Sequence, residues 1–145
     1  MAINSIFDIA GSALAAQSVR LNTTASNLAN AESASSSIDE TYRARKPVFA
    51  AIQQDALNNA LSGDINQEAS RGVEVRGIVE SQDPLQRRYQ PDHPMADEEG
   101  YVFYPNVNVV EEMADMMSAS RSFQVNTEVM NSAKTMMQRL LTLGQ

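Results

Sequence analysis

Apolar residues recur every seven positions at both ends of the chain, and the rhythm is lost in between. Near the N-terminus Phe7, Leu14, Leu21 and Leu28 form one series. Ile3, Ala10, Gln17, Thr24 and Ala31 form a second, three residues after each member of the first. Two series in this relation are the seam of a helix that packs on another helix. The second series turns polar after Ala10. Residues 22–30 read NTTASNLAN. Asn, Thr and Ser are poor helix formers, and their side chains compete for backbone hydrogen bonds. The sequence therefore predicts a helix that needs a partner to stay folded. Residues 31–41 (AESASSSIDET) read as a polar linker.

The C-terminal stretch repeats the pattern with Val109, Met116, Phe123, Met130 and Met137. Met113, Ser120, Thr127, Lys134 and Leu141 are taken as its offset series. Asn108 is placed to cap the helix, with Glu111 three residues on as in a capping box. Gly144 is a natural stop. A helix over 109–142 is roughly 51 Å long at 1.5 Å per residue. Its 3.5-residue period calls for left-handed packing on a second helix. The N-terminal helix of the same chain is the first choice, and a neighbouring subunit is the other. The methionines at 113, 116, 117, 130, 136 and 137 suit an adaptable helix–helix interface.

Between the arms, residues 42–107 carry strand signals. Val48 to Ile52 is a short apolar run. Val73 to Val79 alternates around Gly77, and Tyr101 to Tyr104 is aromatic and β-branched between Gly100 and Pro105. Turn signals fall at Gly63-Asp64, Asp83-Pro84, Pro91-Asp92 and His93-Pro94. A short helix is expected at 54–61. The expected class is α+β: two long terminal helices packed as a coiled-coil-like pair, with a small β-rich or irregular insert. The segments are 1–41, 42–107 and 108–145.

Composition narrows the function. The 145 residues suit about one domain. The net charge of -7 disfavours nucleic acid as a partner, since phosphate binding needs a basic face. The basic groups Arg43, Arg45 and Lys46, and the Arg87-Arg88 pair, read as subunit contacts or solvated faces. Absence of cysteine removes disulfides, thiolate metal sites and Cys nucleophiles together. It also suits a chain that reaches an oxidising compartment unfolded. No segment reaches the roughly 20 apolar residues of a membrane span. The first basic residue is Arg20, so a cleaved signal peptide is not expected. The single histidine, His93, sits between turn residues in a spacing that matches no metal motif, and no GxSxG-type nucleophile sequence accompanies it. No catalytic residue, metal or cofactor is expected.

Two stretches carry a resemblance. IFDIAGSALAAQSVRLNTTASNLANAESA, with Ser26-Asn27-Leu28-Ala29-Asn30-Ala31 at its heart, resembles the flagellar axial family of rod and hook proteins. So does NVNVVEEMADMMSASRSFQVNTEVMNSAKTMMQRLLTLGQ at the C-terminus, along with Pro94-Met95-Ala96-Asp97 and Gly100-Tyr101-Val102. The resemblance implies a non-enzymatic structural subunit, exported unfolded by the flagellar type III secretion apparatus and polymerised in the periplasm beneath the hook. The terminal helices would form an inner tube. Implied partners are further copies of the chain, the other proximal and distal rod proteins, and the adaptor between rod and MS ring. The assembly interface would be the helix seams, namely Phe7, Leu14, Leu21, Asn27, Leu28 and Asn30, with Val109, Met113, Met116, Phe123, Met130, Met137 and Leu141. The Asn27 and Asn30 amides are placed to bond between helices or between subunits. Heptads alone leave open a coiled-coil adaptor or export chaperone of the same system.

Overall fold

The computed structural model describes residues 2–52 and 72–143. The short helix expected at 54–61, the Gly63-Asp64 turn and the Gly144 stop lie outside them. The element order is α1 (Ala2–Ala29), β1 (Arg45–Ala51), β2 (Val73–Glu80), β3 (Gln86–Tyr89), β4 (Tyr101–Tyr104) and α2 (Val109–Leu143). Two long helices thus bracket a small β insert, and the class is α+β. Strands β1 and β2 form one two-stranded sheet, β3 and β4 another. Asn108 caps α2 as its sequence position suggests, its Oδ1 accepting the Val110 N–H at 3.2 Å and the Glu111 N–H at 3.5 Å.

The chain divides into two compact units. One contains residues 20–47 and 78–118. Its sheet is antiparallel, pairing Gln86 with Tyr104 and Tyr89 with Tyr101. Phe103 exchanges both of its backbone hydrogen bonds with Ser35 at 3.0 Å, so β4 lies between β3 and the 31–41 segment. That segment is therefore more than a linker, and its Ser35 and Thr41 are buried. Val102 is fully buried on the inward face of β4. On the other face the Arg87 guanidinium lies 3.6 Å from the centre of the Tyr101 ring, and Tyr89 meets the same ring edge-on at 5.2 Å. These contacts explain β3, whose QRRY sequence has little strand character of its own. The Asn106 amide ties three backbone groups together. Its Oδ1 accepts the Ala44 N–H, and its Nδ2 donates to the Ser81 and Asp83 carbonyls.

The other unit contains, of the described residues, 2–19, 48–52, 72–77 and 119–143. Here a serine joins helix to strand. Ser12 Oγ donates to the Ile9 carbonyl at 2.8 Å and accepts the Val73 N–H at 3.1 Å. Gly72, just before β2, has φ +130°, and a Cβ there would overlap Ser12 Oγ. Glycine is the residue that allows both the backbone angle and this approach. Among the described residues, the apolar side chains buried in this unit are small: Ala10, Ala16, Ala119 and Ala133.

Candidate assembly interface

On α2, Glu112, Ala119 and Ala133 are buried, and residues 109, 115, 116, 120, 122, 123, 126, 130 and 137 are half-buried. Val109, Met116, Phe123, Met130 and Met137 are half-buried at seven-residue spacing. The offset series differs. Glu112, Ala119, Asn126 and Ala133 occupy it, three residues after each member of the first series rather than four. Met113 and Leu141 point outward, 51% and 68% exposed, and Thr127 and Lys134 are exposed as well, while Ser120 is half-buried. A seven-residue repeat admits either offset. Apolarity favours the methionine series, but the structure covers small alanines and one carboxylate instead.

On α1 the series Phe7, Leu14, Leu21 and Leu28 is half-buried throughout. The deepest positions are Ala10, Ala16, Thr23, Thr24 and Asn27. The polar stretch that weakens this helix in isolation therefore supplies much of its inward face.

Asn27 is the centre of that face, at 1% exposure. Its amide makes four hydrogen bonds, which saturates its capacity. Oδ1 accepts the Tyr42 hydroxyl and the Arg45 N–H, each at 2.9 Å. Nδ2 donates to the Arg45 carbonyl at 2.8 Å and to Glu112 Oε1 at 2.9 Å. The side chain thus pairs with both backbone groups of Arg45, as a neighbouring strand would, and fastens the start of β1 to α1. Its fourth bond crosses to α2. Beside it, Arg20 and Asp115 form a charged pair at 2.5 Å, and Lys46 reaches Glu111 at 3.6 Å. Residues 20 and 27 of α1 meet residues 115 and 112 of α2, so the helices run antiparallel in this unit. Asn30 behaves otherwise, its amide donating to the Ser26 carbonyl of its own helix.

Burial pushes the Glu112 carboxyl pKa above the ordinary value, and the Asn27 hydrogen bond offsets this only in part. Burial also raises the Tyr42 hydroxyl, against the pull of Arg45. The sequence reading did not single out Glu112 or Tyr42 and took Arg45 for a subunit contact or solvated face; all three bond Asn27 within the chain. The one available signal was the three-residue step from Val109 to Glu112. Outside the seam, Val110, Met113 and Met117 expose 76%, 51% and 70% of their surface near the start of α2. Among the described residues no group of three or more His, Asp and Glu side chains is placed to hold a metal, and no helix is long and apolar enough to cross a membrane.

Known families match the two ends. Residues 7–32 match the family described as flagella basal body rod protein. Residues 98–143 match the C-terminal family of flagellar basal body rod FlgEFG proteins. The flagellar basal-body rod protein FlgC of Salmonella typhimurium is 52% identical over 145 residues, covering all of both chains. The chain belongs to the FlgC family of flagellar basal-body rod proteins. The FlgC of Yersinia enterocolitica is 45% identical over the full length of both chains. That of Borreliella burgdorferi is 34% identical over all of this chain and 99% of its own. The two segments that match rod families contain the two ends of the Asn27–Glu112 bond, one on each helix of the FlgC-family fold.

Proposed function

We propose that this chain is a structural subunit of the proximal flagellar rod, polymerising through its terminal helices into the periplasmic shaft that carries motor torque toward the hook. Full-length identity of 52% to a basal-body rod protein carries the reading. The exposed apolar side chains of α2 support it, since a subunit that ends up inside a polymer has surface to cover. The partners are further copies of the chain, the other proximal and distal rod proteins, and the adaptor between rod and MS ring. Delivery is by the flagellar type III export apparatus, and the role is mechanical rather than catalytic. Any residue of the 13-member seam set facing outward in the single chain, Met113 and Leu141 among them, is assigned to contacts between subunits.

Deletion of the gene, followed by electron microscopy of isolated basal bodies, tests this. Ring structures lacking rod, hook and filament, restored by the wild-type copy, are expected. Complete flagella in the deletion strain would overturn it and favour an accessory adaptor.

A further inference from the structure

We propose that Arg87 and Arg88 guard the open edge of the β3–β4 sheet against a second copy of this chain. One edge of the sheet is closed, since Phe103 turns its N–H and carbonyl to Ser35. Phe103 is the register partner of Arg87, and Val102 that of Arg88. Along an antiparallel ladder, paired residues alternate between bonding each other and bonding outward. The backbone groups of Phe103 face away from β3, so those of Arg87 face away from β4. Those of Tyr89, two residues on, do the same. Gln90, of the opposite parity, donates across to the Gly100 carbonyl at 2.9 Å. Among the described residues nothing bonds the outward N–H and carbonyl groups of Arg87 and Tyr89. Such groups are a template for another strand. Contacts local to the hairpin hold this edge in shape. Asp97 Oδ1 accepts the Tyr101 N–H at 2.8 Å and the Glu99 N–H at 3.0 Å. Gly100, at φ +82°, lets the turn lie against Tyr89 and Pro91, where a Cβ would come within 2.9 Å of the Tyr89 ring. None of these contacts involves a terminal helix.

The arginines decide what this edge accepts. The antiparallel alignment that uses all of its open groups sets Arg87 opposite Tyr89 of the second copy. Arg88 then lies directly opposite its own counterpart, in a non-hydrogen-bonded pair, where side chains approach most closely. A two-residue shift one way sets the two Arg87 side chains opposite each other instead. The same shift the other way offers Arg87 only Pro91, which has no N–H to give. Like charges directly opposite destabilise a strand pair. Arg88 has no carboxylate partner, since its guanidinium donates to Gln86 Oε1 at 2.9 Å. Arg87 does pair with Glu99, but these side chains are 49% and 75% exposed, and solvent weakens the relief. Both guanidinium groups are also held beside the strand, 3.6 Å from the Tyr101 ring centre and 4.6 Å from that of Tyr104. Swinging clear of an incoming strand would give up these cation–π contacts. The guard acts wherever copies of the chain crowd together, whatever they build.

The test compares full-length variants at one protein concentration by analytical ultracentrifugation and circular dichroism. The wild type is expected to stay monomeric, as is the double variant Arg87→Lys with Arg88→Lys, which keeps both charges. Arg87→Thr with Arg88→Thr leaves an uncharged edge of strand-forming side chains. It is expected to self-associate with a gain in β signal. Adding Tyr89→Pro to the Thr pair takes away an outward N–H and leaves the bonds to β4 in place. The monomer is expected to return. A Thr pair that stays monomeric overturns the proposal, as does a wild type associated to the same degree. A Lys pair that associates as the Thr pair does, or association that survives Tyr89→Pro, equally overturns it.

Discussion

A carboxylate as covered as Glu112 gives up most of its hydration, and the single hydrogen bond from Asn27 does not replace it. Asp115 and Glu111 add repulsion, while Lys46 gives partial relief. The folded-state pKa is therefore above the unfolded one, and the folded chain holds the proton more tightly. Stability linked to this group is fully present below the unfolded pKa and is lost as pH rises from there through the raised folded pKa. Glu112→Gln removes the charge and keeps the acceptor. Its Tm is expected to exceed that of the wild type at pH 7 by roughly 2–4 °C, about 1 kcal/mol for a domain of this size. The gap should narrow on going to about pH 5. Thermal melts at the two pH values check this, and a gap that widens toward acid would contradict it.

Among the elements, the helices were the most legible and the offset of the α2 seam the least. The sevenfold recurrence of Phe7 to Leu28 and of Val109 to Met137 identifies two helices, and on α1 the offset residues Ala10, Gln17 and Thr24 are covered as well; on α2 the offset is where the reading failed. The recurrence cannot choose between Glu112 and Met113, because a repeat of seven accommodates both. The apolar methionine was the better guess from hydrophobicity alone. The structure favours the series with Ala119 and Ala133, which are buried and small, and with Glu112, which has Asn27 to bond. Ala119→Leu is expected to destabilise the chain by ~1–3 kcal/mol through overpacking. Met113→Ser, at an exposed site, should stay within about 0.5 kcal/mol of wild type. Urea denaturation separates the two, and equal effects would return Met113 to the seam. Strand β4 was legible from its aromatic and β-branched run between Gly100 and Pro105. Strand β3 was not, because Gln86, Arg87 and Arg88 become a strand through β4 and through arginine–tyrosine stacking, both tertiary effects. The 31–41 segment misled for a related reason. Its serines look like linker, yet the Ser35 backbone completes the edge of β4.

At the scale of the whole molecule, the buried polar residues hold the subunit's own elements together, and apolar side chains remain outside. Asn27, Asn106 and Ser12 each fix backbone groups from segments distant in sequence. Meanwhile Val110, Met113 and Met117 face outward with the seam behind them. This division suits a subunit whose internal geometry is set by directional bonds and whose association relies on less directional apolar contact. The central claim is that the terminal helices are what build the polymer. Leu21→Asp places a charge at a half-buried seam position of α1, where loss of apolar burial and desolvation together cost several kcal/mol. The measurement is the amount of this subunit in basal bodies purified from a deletion strain complemented with Leu21→Asp. Met95→Asp, in the exposed loop between β3 and β4, serves as the control. The account predicts no subunit and no rod in the Leu21→Asp strain and normal rods in the control. Wild-type amounts of the Leu21→Asp subunit in complete rods would contradict it.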